Sequence, residues 1–211
     1  MLSSLSELDQ NQLIFIQRTY TILFGSLLLM TIIGIFSYHV LPPMLQFPVM
    51  ILDFLIWVAC GWFHWRNPIK AVFPIFLVIT GLAMGQIAHL YSPNLFLSAA
   101  LTTLAIFAGV STYVFFSKRD FSFLAASLNI GFWILLVGGI LTLFFHISIL
   151  SLFLGFFGSA VFIGWILYDT SQILIRAEQF GYDARFGAFD LFMDIIGLFS
   201  YIRSLFSYFD D

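Results

Sequence analysis

Charge is what this sequence has least of. Only 9% of its 211 residues are Asp, Glu, Lys or Arg, against 61% hydrophobic, and a chain with so little polar surface cannot cover a water-soluble globule of this length. Cysteine is nearly missing: Cys60 stands alone, which excludes an intramolecular disulfide and a cysteine metal site. The basic residues form no run, and a formal net charge of −3 with pI near 5.7 leaves no electrostatic footprint for nucleic acid or for capture of anionic lipid. The last apolar stretch has no lysine for a retinal Schiff base. Gly158-Ser159-Ala160 lacks the second glycine of a GxSG serine-protease signature, and His39, His89 and His146 make no HxxxH or HExxH pattern for zinc. No catalytic group and no cofactor site emerges, so the chain reads as a non-enzyme.

Long apolar runs are what the sequence does have. They lie near 19–40, 48–64, 69–91, 95–117, 121–146, 147–168 and 188–208, each roughly 20 residues and long enough to cross a bilayer. With a mean hydropathy of +1.03, the expected fold is an all-α integral membrane protein, one polytopic domain over 1–211. The connections are short, punctuated by Pro42, Pro43, Pro48, Asn67-Pro68 and Ser92-Pro93-Asn94, and hold no soluble domain. The longest, Thr170 to Gly187, mixes Ile173, Leu174 and Ile175 with Arg176, Glu178, Asp183 and Arg185, which suits an interfacial helical extension ending in a glycine turn. The first span is too long, and too poor in a small-residue cleavage site, for a removable signal peptide.

Lysine and arginine alternate between connections. Arg18 precedes the first span, Arg66 and Lys70 follow the second, Lys118 and Arg119 the fourth, Arg176 and Arg185 the sixth. The positive-inside rule then puts the N-terminus and these loops in the cytoplasm and the C-terminus outside, most simply across a bacterial inner membrane.

Against this background two acids demand explanation. Asp194 sits inside Leu191-Phe192-Met193-Asp194-Ile195-Ile196-Gly197, and Asp169 ends the apolar stretch before it; an ionisable group in such a setting is a functional-site hypothesis by default. If span seven begins near Ala188, Asp194 lies about 9 Å of helix rise into it, at a depth similar to that of Asp169. Asp190, Asp194, Gly197 and Tyr201 recur at helical spacing, so one stripe of span seven is polar or small and should face protein, with the other six spans around it. Two carboxylates held close cannot both ionise cheaply, which makes the pair a proton sensor. The same oxygens suit a passing calcium ion, bound transiently near Asp169 and Asp194. Asp53, a few residues into span two, is either an ion-attracting mouth residue or a wet carboxylate at a helix start. Asp190 is read as a water-reaching carboxylate in the first turn of its helix, with an ion-path role as the sharper reading. Arg66 is either a counter-charge to the pair or an interfacial anchor.

Thr80-Gly81-Leu82 through Tyr91-Ser92-Pro93-Asn94, then Ser117-Lys118-Arg119-Asp120-Phe121-Ser122-Phe123-Leu124, Tyr168-Asp169-Thr170-Ser171-Gln172-Ile173 and finally Leu191 to Phe199 resemble the Bax inhibitor-1 (TMBIM) family. The resemblance covers nearly the whole chain. It implies seven helices with the last in the centre, and a pH-sensitive calcium leak governed by a hydrogen-bonded aspartate pair, onto which Asp169 and Asp194 map. The partners it implies are the lipid bilayer, calcium ions and protons. Family members also include regulators of membrane proteases and of cell death, so a non-conducting regulator working through protein contacts is the second reading.

Overall fold

The computed structural model describes residues 10–63, 69–145, 148–177 and 183–210. Among these residues the chain is entirely helical: α1 (Gln10–Val40), α2 (Gln46–Phe63), α3 (Ile69–Ala88), α4 (Pro93–Ser117), α5 (Ala125–Phe145), α6 (Ser148–Ala177) and α7 (Ala184–Asp210), with 3-10 turns at Pro43–Leu45 and Ser122–Leu124. The helices α1, α4 and α6, and the stretch Ser122–Thr142 that holds most of α5, are long and apolar enough to cross a membrane. The apolar stretches of α2 and α3, Gln46–Ala59 and Val72–Ala88, are shorter. α7 has 27 residues but carries Arg185, Asp190, Asp194 and Arg203, so its place in the bundle depends on what those charges meet. The chain is an integral membrane protein.

Seven helices fall on the seven expected spans, but two ends move. Span six was expected to stop at Tyr168, yet α6 runs on to Ala177; span seven was expected from 188, yet α7 starts at Ala184. Hydropathy marks only the apolar part of a helix, whereas the backbone ladder continues wherever side chains find partners. Asp169 therefore lies about two turns inside α6 rather than at its end, and Asp194 roughly 15 Å into α7 rather than 9 Å.

The chain divides into two compact units, Tyr20–Pro93 and Met1–Thr19 with Asn94–Asp211. In the first, glycines bring α1 and α3 backbone to backbone: a Cβ on Gly85 would overlap the carbonyl oxygen of Gly34, and one on Gly81 would sit 3.0 Å from that of Met30. The Ser37 hydroxyl donates to Leu82 O at 2.8 Å, and Gln86 Nε2 donates to Ser37 O at 3.1 Å and to its hydroxyl at 3.2 Å. Small residues for close approach and polar groups as glue are how helices associate where lipid removes the hydrophobic drive.

In the second unit α6 and α7 form the most extensive helix pair, with α5 packed on α6. Ala188, Leu191, Phe192 and Leu198 of α7 are completely buried, while Leu97, Leu101, Ile130 and Val137 on α4 and α5 stay exposed, as lipid-facing side chains would. Hydroxyls inside these helices bond back to their own backbone, Thr103 to Ala99 O at 2.7 Å and Ser159 to Gly155 O at 2.8 Å, which satisfies them without water. α4 stops where Lys118 turns to φ 48°, a left-handed residue that closes the helix as its N–H bonds to Val114 O at 2.9 Å.

Candidate functional site: a carboxyl pair in the α6–α7 seam

α6 and α7 run antiparallel in a fixed register. Ile173 lies against Gly187, Phe162 against Gly197, the ring of Tyr201 against Gly158 and Leu205 against Gly155, each at a point where an added Cβ would press on the facing side chain. Every helical side chain leans toward the N-terminus of its own helix. In an antiparallel pair, Asp169 and Asp194 therefore lean toward each other. They are joined by a side-chain hydrogen bond, and both are buried, at 8% and 5% exposure.

That bond has a chemical condition. An ionised carboxylate only accepts, so two carboxyl groups can be bonded to each other only while they hold a proton between them. One oxygen is left over: Asp194 Oδ2 is buried with no hydrogen-bond partner. A buried acceptor without a donor is costly.

About two turns beyond Asp169, Arg176 reaches Asp190 across the seam, Nη1 to Oδ2 at 3.5 Å, with side-chain exposures of 18% and 14%. This corrects the reading of Asp190 as a solvated carboxylate in a first turn. α7 begins six residues earlier, at Ala184, so Asp190 sits in the second turn, paired with an arginine. Arg176 also marks what the sequence reading missed as a site residue. Its signal was there: residues seven apart on one helix share a face, and Asp169 and Arg176 are so spaced.

The end of α6 is fastened to the connection before α5. Ser171 Oγ accepts from Phe121 N at 3.3 Å and donates to Tyr168 O at 2.7 Å, while Gln172 Nε2 donates to Ser122 Oγ at 2.7 Å. Asp120 accepts from the Ser122 hydroxyl and from Ser122 N, the latter at 2.8 Å. These two donors, the hydroxyl first, hold the Asp120 carboxyl below its ordinary value of 3.8.

The other expected site residues lie apart. Asp53 is in the Tyr20–Pro93 unit, where Thr80 Oγ1 donates to its Oδ1 at 2.7 Å across α2 and α3. Arg66 and His146, and the side chain of Cys60, fall outside the described residues. His89 stacks on Tyr38 at 4.1 Å between ring centroids, with Nε2 3.1 Å from Tyr38 O.

The sequence model of the family described as "Inhibitor of apoptosis-promoting Bax1" matches residues 12–211. Among curated proteins, the chain is 37% identical over 127 residues to "Protein lifeguard 4" of Mus musculus, covering 60% of this chain and 52% of that protein. It is 33% identical over 130 residues to the "Golgi anti-apoptotic protein" of Vaccinia virus (strain Lister), covering 62% and 54%. A longer match, 29% identical over 202 residues, joins 88% of the chain to 73% of "Bax inhibitor 1" of Schizosaccharomyces pombe. The chain thus spans about half the length of the first two relatives. With a match over all but the first eleven residues, this helical membrane protein belongs to the Bax1-I family, the inhibitors of apoptosis-promoting Bax1.

Proposed function

We propose that the chain is a passive calcium leak of a bacterial cytoplasmic membrane, gated by protonation of Asp169 and Asp194. The observation that carries this reading is the buried carboxyl pair, whose mutual bond exists only with a shared proton and whose Asp194 Oδ2 has no partner. As pH rises and the proton leaves, the contact turns from attraction to repulsion between two acceptors, and oxygen ligands for a hard divalent cation are exposed in the same step. Asp190 and Asp53 serve as further acids along the ion path, the first restrained by Arg176. α7, which carries the acids, is taken as the central helix of the seven, with the N-terminus cytoplasmic and the C-terminus outside.

The test is calcium entry into liposomes holding the purified protein, followed with an enclosed indicator across a pH series. The expected result is flux above empty liposomes with a pH dependence that Asp194→Asn flattens. No flux at any pH, or an unchanged profile in the variant, rejects the reading.

The printed names of two relatives, "Bax inhibitor 1" and "Golgi anti-apoptotic protein", favour a second reading: a regulator that works through contacts with another membrane protein, such as a membrane protease, and conducts nothing. A stable partner recovered with the chain from solubilised membranes, together with silent liposomes, would select it.

A further inference from the structure

The polar part of the α6–α7 seam ends abruptly. Going from the carboxyl pair toward the start of α6 and the end of α7, the next residues in the seam are Phe162 and Gly197, then Gly158 and Tyr201. The two helices exchange rings. Phe162 of α6 sits in the notch left by Gly197 of α7, and Tyr201 of α7 sits in the notch left by Gly158 of α6. The two rings stack on each other, 5.7 Å between centroids at 29°. Each helix thus supplies one ring and one glycine at a spacing of four, so on each helix the ring and the glycine share the face turned to the other helix. Phe162 is 3% exposed.

Resting on the leak reading above, we infer that the Phe162–Tyr201 stack, seated in the Gly197 and Gly158 notches, is the hydrophobic seal of the conduction path beside the carboxyl pair. The pair supplies charge, and the rings next to it supply an apolar constriction that excludes water. Such a constriction blocks an ion by dewetting, because a cation cannot cross without its hydration shell or replacement ligands. The carboxyl pair lies on one side of the rings, and Leu205, seated against Gly155, on the other. Opening therefore requires the rings to leave their notches, and repulsion within the ionised pair, about one turn from Gly197, would spread the helices that hold them.

Phe162→Ala tests the seal, because it leaves a cavity where the ring stood and leaves both acids in place. Calcium entry into liposomes at a fixed pH should rise about tenfold over wild type, while Phe162→Leu, which keeps apolar bulk, should stay within about twofold. Phe162→Val, gentler on folding, should fall between them and carries the test if the alanine variant is not recovered as a single species. A fluorophore too large for the path, trapped in the same vesicles, should be retained. The double variant Phe162→Ala, Asp194→Asn should keep the raised flux and lose its pH dependence. Elevated flux in Phe162→Ala over a silent wild type supports the seal and rejects a wild-type leak. Flux equal to wild type in both small-residue variants, whether wild type conducts or not, overturns the seal, as does release of the trapped fluorophore. Lower thermal stability with unchanged flux is the signature of a ring that only packs, and it too overturns the proposal.

Discussion

Asp53 and the pair Asp169–Asp194 are all acids within apolar helices, yet they are satisfied in opposite ways. Asp53 meets a hydroxyl: Thr80 Oγ1 donates to it at 2.7 Å, and a hydroxyl can donate whether or not the acid is ionised. Asp169 and Asp194 meet each other, and neither brings a proton of its own when ionised. The first contact can form in either protonation state of the acid, and the second requires a shared proton. Whether an acid's contact needs a proton is therefore decided by the identity of its partner.

The sharpest way to break that comparison is to remove one acid from each place. Asp194→Leu strands Asp169 in the seam and should lower stability by about 3 kcal/mol, the scale of breaking a buried polar pair. Asp53→Leu leaves only a threonine hydroxyl, which can turn to a backbone carbonyl, and should cost about 1 kcal/mol. Thermal unfolding in detergent reads both, and equal losses would mean that the partners do not matter.

The next effect is on pH response. The wild-type melting temperature should fall as rising pH strips the shared proton, and because an asparagine at 194 can donate to Asp169 at every pH, Asp194→Asn should remove that fall. Asp53→Asn should leave that slope intact. A wild-type melting temperature that stays flat as pH is raised would sink the idea that the contact depends on a proton.

Smaller still is the ion pair beside them. Arg176→Gln frees Asp190 from a contact at 3.5 Å and should cost about 1 kcal/mol, more than an exposed pair because both side chains are mostly covered. If the Asp190→Asn, Arg176→Gln double variant loses as much as the two single losses added together, the two groups are not coupled.

The smallest effect concerns Asp120, an exposed acid on the Lys118–Ser122 connection. Its carboxyl is held below 3.8 by the Ser122 hydroxyl and backbone N–H, so the contact contributes above that pH and is lost as pH falls through the lowered value. Ser122→Ala removes the hydroxyl, and with it the bond from Gln172. Amide exchange of Ser122 should quicken in the variant at neutral pH while the core helices stay protected; no change there would show that the connection is held by other means.

Much of the fold was legible because membrane helices announce themselves by composition. Spans one to seven overlap α1 to α7. The ends were not legible, because the last two turns of α6 and the first turn of α7 lie outside the apolar stretches; Arg176, in that extension of α6, pairs with Asp190 of α7. Within the site, the stripe Asp190, Asp194, Gly197, Tyr201 was readable from spacing alone, and it faces α6. The counterparts on α6 were not. Phe162 is one of 28 phenylalanines and Gly158 one of 15 glycines, and nothing short of the antiparallel register distinguishes them. Thr80 as the donor to Asp53 was hidden for the same reason: the pairing is 27 residues apart in sequence and is set by helix packing.

The exchanged rings and glycines have a kinematic consequence. Helices joined by smooth apolar faces can slide past one another in small increments, but here an axial shift of α6 against α7 would drive the Phe162 ring onto the side chains flanking Gly197. Translation along the seam is thereby locked, while separation at the rings is opposed by dispersion contacts that fade within an ångström or so, and farther along by the carboxyl pair and the Arg176–Asp190 contact. The seam has a stiff coordinate and a soft one, so its motion resembles a latch that is seated or lifted, with no stable position halfway.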